Sequence, residues 1–182
     1  MTRTIRLVRH GRSAHAAGAW VDRAGFLQWL AAYDDAGLAQ DERPPTSLGS
    51  DHGLVIASDM PRAIESARHL GREFQTSRLL REAQLIVPNL SMRLPLMLWA
   101  IAIGIRWLIA ERRGEWPSAE DHKRAEDAAT WLDALSAEHA TITVITHAAF
   151  RRILAPALER RGWADVGSKK GHHWSIRLLM RP

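Results

Sequence analysis

Three short segments of this chain are rich in β-branched and aliphatic residues and break abruptly into a turn that opens a helical pattern. They are TIRLV at residues 4–8, LVIA at 54–57 and TITVIT at 141–146. Strands separated by helices need crossover connections, and crossovers make neighbouring strands parallel. The pattern therefore predicts an α/β fold, a three-layer sandwich with a mostly parallel central sheet flanked by helices.

The segments between the strands fit that frame. Residues 24–36 have helical spacing, with Phe26, Leu27, Trp29, Leu30 and Tyr33 on an apolar face. Residues 41–53 are rich in Pro, Ser, Asp and Gly and read as loop. Pro61 suits a first helical position, Ser58 and Asp59 stand where a cap belongs, and Gly71 closes a helix running to about residue 69. A short strand is expected within 76–80. Ser118, with Asp121 three residues on, starts a strong helix over 118–138, and residues 148–160 read as another. Residues 174–180 read as an edge strand. No repeat, low-complexity tract or linker divides the chain, so residues 1–182 are expected to form one domain.

In open α/β sheets, ligands bind beyond the carboxyl ends of the strands. The first strand ends on Arg9-His10-Gly11. The second leads into Ser58-Asp59-Met60-Pro61-Arg62, and the third ends on Thr146-His147. Glu82 follows the expected fourth strand. Two histidines, two arginines and a carboxylate at one edge of a sheet suit phosphoryl chemistry. Arginine forks bind phosphate oxygens and stabilise their charge during transfer. A neutral imidazole can attack phosphorus, and a carboxylic acid can protonate the leaving oxygen. The chain has no cysteine. That excludes disulfides, a thiolate nucleophile and a Cys-based zinc site, and leaves histidine as the nucleophile best supported.

These residues also carry a family resemblance. Leu7-Val8-Arg9-His10-Gly11-Arg12-Ser13 resembles the signature of the histidine phosphatase superfamily, also called phosphoglycerate mutase-like. Residues 58–67, SDMPRAIESA, are similar to its second block, and Val144-Ile145-Thr146-His147 is similar to the strand that bears its second histidine. A lone Arg-His-Gly is commonly just a turn; three blocks in the family's order, over residues 4 to about 155, are specific. The resemblance implies that His10 is the nucleophile and becomes a phosphohistidine. It implies that Arg9 and Arg62 grip the phosphate, with Ser13 near it, and that His147 donates a hydrogen bond to the transferring group. Glu82 falls at the position of the proton donor, with Glu65, Glu73 and Glu111 as rivals. No metal or organic cofactor is implied. The chain departs from the pattern where Ala148 and Ala149 stand in place of the usual glycine. The expected activity is hydrolysis of a small phosphomonoester. A mutase, a protein phosphohistidine phosphatase and a non-catalytic phospho-ligand binder are the alternatives.

Residues 94–110, LPLMLWAIAIGIRWLIA, are almost wholly apolar and interrupted only by Arg106. Their length is at the lower edge of a membrane span, so a buried or interfacial helix is the favoured reading. They fall in an apolar insertion at about 87–114, where the resemblance implies a cover over the site. The expected role is an apolar roof, carrying Trp99 and Trp107, beside the phosphate pocket; a dimer contact and a plain core helix are the other readings. The net charge of +5 comes almost entirely from arginine and suits an anionic substrate. The basic residues are scattered, so nucleic acid is not expected as a partner. The first residues lack the apolar core of a signal peptide, which makes the cytoplasm the expected location. His15, His52, His69, His122 and His139 are given no role. His172 and His173, read as neighbours on a strand, would point to opposite faces and could not chelate a metal.

Overall fold

The structure, a computed structural model, describes residues 2–15, 20–48, 53–167 and 171–182. His52 and residues 49–51 of the expected loop lie outside the described residues. In chain order the elements are β1 (Arg3–Arg9), β2 (Trp20–Val21), α1 (Arg23–Asp35), β3 (Leu54–Ser58), α2 (Pro61–Arg68), β4 (Phe74–Ser77), β5 (Leu94–Pro95), α3 (Leu96–Arg112), α4 (Ala119–Leu135), β6 (Thr141–Thr146), α5 (Ala148–Glu159), β7 (Ala164–Asp165) and β8 (Ile176–Arg181). The sheet order is β4-β3-β6-β1-β8-β7. The strands β4, β3, β6 and β1 are parallel, and β8 and β7 complete the sheet by antiparallel pairing.

Alternation along the strands sorts the core onto two faces. Ile5, Leu7, Ile56, Ile142 and Val144 pack with α4 and α5. Val8, Val55, Ala57 and Ile145 pack with Ala63 and Ala67 of α2 and with Trp174. Helices thus cover both faces, and the α/β sandwich expected from the sequence is present. A third, smaller cluster stands apart, where Phe26 of α1 packs with Leu96 and Trp99 of α3.

The departures from expectation have local causes. The last strand is not an edge: β8 lies between β1 and the two-residue β7, because its antiparallel register with β1 (Val8 opposite Ile176) leaves its other side free to pair Ala164 with Met180. The fourth strand comes two residues early, and a 3₁₀ turn over Arg78–Leu80 follows it, capped by the Ser77 hydroxyl that accepts from Leu79 N–H. The cap of α2 is Met60, with no side-chain bond. Ser58 Oγ accepts from Met60 N–H instead, and Asp59 turns away to Arg81, which donates to it at 2.7 and 2.8 Å. Ser118 does cap α4, accepting from Asp121 N–H at 3.1 Å.

Candidate active site

The register of the sheet brings the two key histidines together. Arg9 at the end of β1 lies opposite Thr146 at the end of β6, so the next residue of each strand emerges at the same place. The rings of His10 and His147 have centroids 4.9 Å apart. The neighbouring β3 ends beside β6 and leads into α2, which carries Arg62 back over His10. Arg62 is 1 % exposed, and its Nε donates to His10 Nε2 at 3.2 Å. Its other nitrogens donate to the Tyr33 and Asp34 carbonyls and to the Asp34 carboxylate.

The state of His10 follows from its partners. Its backbone N–H donates to the Thr146 carbonyl, and its Nδ1 lies 2.6 Å from the Gly11 carbonyl. A carbonyl only accepts, so Nδ1 carries the proton and Nε2 keeps its lone pair. Burial, reinforced by the Arg62 charge, holds the ring well below the ordinary imidazole pKa. The result is a neutral imidazole whose Nε2 faces a guanidinium.

Gly11 is demanded by close approach. A Cβ there would lie 2.8 Å from Trp174 Nε1 and from Glu42 Cγ. Its N–H donates to Ser66 Oγ, which in turn donates to the Arg62 carbonyl. One hydroxyl on α2 therefore ties the His10 turn to the helix that bears Arg62.

His147 is wholly buried at the start of α5, and among the described residues neither ring nitrogen has a partner. Burial first, then His10 and the arginines, keep it neutral. Arg9 donates to the Gly171 carbonyl at 2.5 Å, but its buried Nε is likewise unpartnered. Each such orphan costs about 1–3 kcal/mol unless something binds it.

Glu82 is half-buried. Its Oε1 accepts from Phe150 N–H at 2.8 Å and Ala83 N–H at 3.0 Å. Burial outweighs these bonds and the charges of Arg62 and Arg9, so its carboxyl pKa is raised. The loop that carries it is held by α4. Arg124 donates to the carbonyls of Leu79, Arg81 and Glu82, while Asp121 pairs with Arg124 and accepts from Gln84 N–H. Thr146 Oγ1 donates to the Leu80 carbonyl.

Arg9, Arg62 and Glu82 line a cavity of about 1300 Å³; His10 and His147 lie buried and do not line it. Of the sequence candidates, Ser13 stays apart from the cavity wall, its hydroxyl accepting from His15 N–H. Among the rivals of Glu82, Glu65 accepts from Leu38 N–H and Glu73 is exposed. Glu111 does line the cavity, paired with Arg152 at 3.6 Å. The roof expectation divides: Trp107 lines the cavity, whereas Trp99 is fully buried and stacked on Phe26 with centroids 5.0 Å apart, its Nε1 donating to the Val21 carbonyl.

Sequence reasoning missed three residues. His173 has its ring centroid 5.8 Å from that of His10. Burial, with the Arg9 charge adding, pulls it down to about 4. It sits in a turn rather than a strand. Reading the last strand as an antiparallel neighbour of the first would have placed its start at the site. Arg124 carries no local signal, because its role depends on α4 crossing the Glu82 loop. Arg151 reaches from α5 to the Leu7 and Ser175 carbonyls and the Ser175 hydroxyl. Among the described residues, no group of three or more His, Asp or Glu forms a potential metal cluster.

The described residues have a phosphoglycerate mutase-like α/β fold. The likeness is to solved structures; neither a family model nor a curated protein matches the chain. One neighbour is the mycobacterial glucosyl-3-phosphoglycerate phosphatase in complex with VO3, 19 % identical, with a TM-score of 0.63 over 98 % of this chain and 96 % of that one. Another is the phosphoserine phosphatase of Entamoeba histolytica in complex with 3-phosphoglyceric acid, 12 % identical, with a TM-score of 0.55 over 97 % and 89 %.

Proposed function

We propose that this protein is a phosphatase that hydrolyses a small phosphomonoester through a covalent phosphohistidine on His10. The observation that carries the reading is the set of unsatisfied polar atoms around a neutral His10: the two ring nitrogens of His147, one of which carries an N–H, and Arg9 Nε are buried without partners. Such groups suit an anion that arrives with its own acceptors. Two of the neighbours of like fold are phosphatases.

The steps follow from the residues. The dianion binds among Arg9, Arg62 and the His147 N–H. Its oxygens compete for the Arg62 guanidinium, which releases the His10 Nε2 lone pair toward phosphorus. Nε2 attacks, the ester P–O bond breaks, and the leaving oxygen takes the proton of Glu82. The Glu82 carboxylate then removes a proton from water, which attacks the phosphorus. The N–P bond breaks, and inorganic phosphate leaves with His10 neutral again. His173, beside His10, adds a neutral ring to the same pocket of charge.

The test is release of phosphate from a generic aryl phosphate by the intact protein and by His10→Ala. The reading expects turnover that the substitution abolishes. Equal turnover in both would remove His10 as the nucleophile.

A further inference from the structure

The helix α3 is apolar on every side, yet it lies at the surface. At 3.6 residues per turn, Met97, Leu98, Ile101, Ile105, Leu108 and Ile109 fall on one arc of about 120°, and all six are exposed, Met97 by 69 % and Ile105 by 56 %. Arg112 continues the same stripe at its end. The opposite arc packs inward through Trp99 and Ala110. A helix hydrophobic all round ordinarily lies inside a protein or in lipid, and a contiguous exposed apolar face marks a docking surface.

Two further features say what covers it. The first is charge. Arg93 and Arg112 stand at the two ends of the helix, both exposed, and among the described residues neither meets a carboxylate. Arg113 and Arg106 share Glu115 at 4.0 and 3.5 Å, and Arg152 pairs with Glu111. The rim of the apolar arc is therefore net positive. Two copies joined about a two-fold axis would bring arginines together across the seam, Arg112 against Arg93 or against its own copy. An anionic lipid surface instead supplies acyl chains for the arc and phosphates for its ends. Trp20 is 62 % exposed and its strand is paired to Pro95 at the head of the helix, with Arg93 donating to its carbonyl. An exposed indole with a nearby cation is the usual furniture of a membrane–water interface.

The second feature is the cavity mouth. Ala100 and Gly104 are exposed, and both line the cavity. On the helix surface they adjoin Met97, Ile101 and Leu108 at spacings of three and four. A Cβ added to Gly104 would meet nothing within 4 Å, so this edge is open. The cavity thus opens along the border of the exposed apolar arc. Its volume of about 1300 Å³ exceeds the ~300–1,000 Å³ usual for small ligands, and Leu96, Ile103 and Trp107 give it an apolar wall.

We propose that the outer arc of α3 seats the protein on an anionic lipid bilayer, and that the cavity takes from it a phosphomonoester bearing an acyl chain. The substrate half rests on the phosphatase reading above; the docking half does not. No helix among the described residues is long and apolar enough to cross a membrane, so the helix lies in the interface rather than spanning it.

The test has two arms. In the first, the full chain is sedimented with phosphatidylcholine vesicles, with and without phosphatidylglycerol. The proposal expects binding that requires phosphatidylglycerol, weakens with salt, and falls at least about tenfold in Ile101→Asp/Ile105→Asp and separately in Arg112→Glu/Arg113→Glu. His10→Ala should bind as the wild type does, which keeps a failure of catalysis apart from a failure of docking. Unchanged turnover of a soluble aryl phosphate by the two double variants shows that they remain folded. Absence of vesicle binding by the wild type overturns the docking half. So does self-association of the wild type that the aspartate pair abolishes, since that assigns the arc to a second copy. In the second arm, phosphatidic acid in those vesicles should be hydrolysed at least about tenfold faster than glycerol 3-phosphate in solution. Equal rates overturn the substrate half.

Discussion

The floor and the wall of the cavity are built on opposite principles. The floor, with the layer buried beneath it, is a set of polar groups at strand ends and in the loop after β4, held by backbone bonds: His10 by Thr146 and Gly11, Glu82 by Phe150 and Ala83. The wall is an apolar helix pair, α1 and α3, stacked through Phe26 and Trp99. It forms its own small cluster, separate from the two faces of the sheet. A polar constellation needs positions held closely, which a sheet edge supplies. An apolar wall needs only shape and area, which a helix with few specific bonds supplies. On the proposed function, the chemistry falls to the floor and the choice of leaving group to the wall.

Substitutions in the floor should have the largest effects and should not depend on the size of the leaving group. His10→Ala should lower kcat by about 10⁴-fold or more, since it removes the covalent path; single-turnover assays on a small and a bulky ester should lose equally. Glu82→Gln should lower kcat/KM roughly 10²–10⁴-fold for alkyl esters, and much less for an aryl phosphate whose leaving group needs no proton. An equal loss on both would place Glu82 outside proton transfer.

The same pair of groups sets the pH dependence. His10 must be neutral, so activity rises as pH climbs through its depressed pKa. Glu82 must be protonated, so activity falls as pH climbs through its raised pKa. The profile of kcat/KM should therefore have an ascending limb set by His10 and a descending limb set by Glu82. Arg124→Leu, which frees the Glu82 loop without touching the phosphate, should move the descending limb while leaving the ascending one in place. A merely structural residue would lower the whole profile without shifting either limb.

Changes in the wall should separate stability from selectivity. Trp99→Ala empties a buried site and should cost about 3–5 kcal/mol of stability, read as a fall in Tm. Trp107→Ala, at a partly buried ring packed on Trp116, should lower Tm less than Trp99→Ala and lower kcat/KM for bulky apolar esters by about tenfold, with small esters little affected. The reverse pattern, with Trp99 setting selectivity, would break the division between core and wall.

Much of the floor was legible in the sequence because its residues sit at strand ends, where local pattern and spacing fix position. Arg9, His10, Arg62 and His147 are brought together by the register of β1, β3 and β6. Glu82 was legible by spacing, although its support was not: the strand before it ends at Ser77 rather than near residue 80, and Arg124 holds the loop from a helix distant in sequence. His173 was hidden because the last strand read as an edge, and only its antiparallel pairing beside β1 carries His173 to His10. Ser13 shows where nearness in sequence is not enough. It is close to His10 in sequence, but the chain turns toward Leu38 and takes the hydroxyl with it. Trp99 was misplaced for a related reason. In a helix apolar all round, the sequence does not mark which arc faces the core.

The covalent intermediate is the centre of the account, and it can be trapped. The protein is mixed with an aryl phosphate, denatured in alkali within one turnover, and digested for mass spectrometry. A phosphoryl group on His10, stable to alkali and lost in acid, is the predicted result, and it should accumulate further in Glu82→Gln when an activated ester is used. Phosphate release with no label on His10, or with the label on His147 instead, would contradict the mechanism.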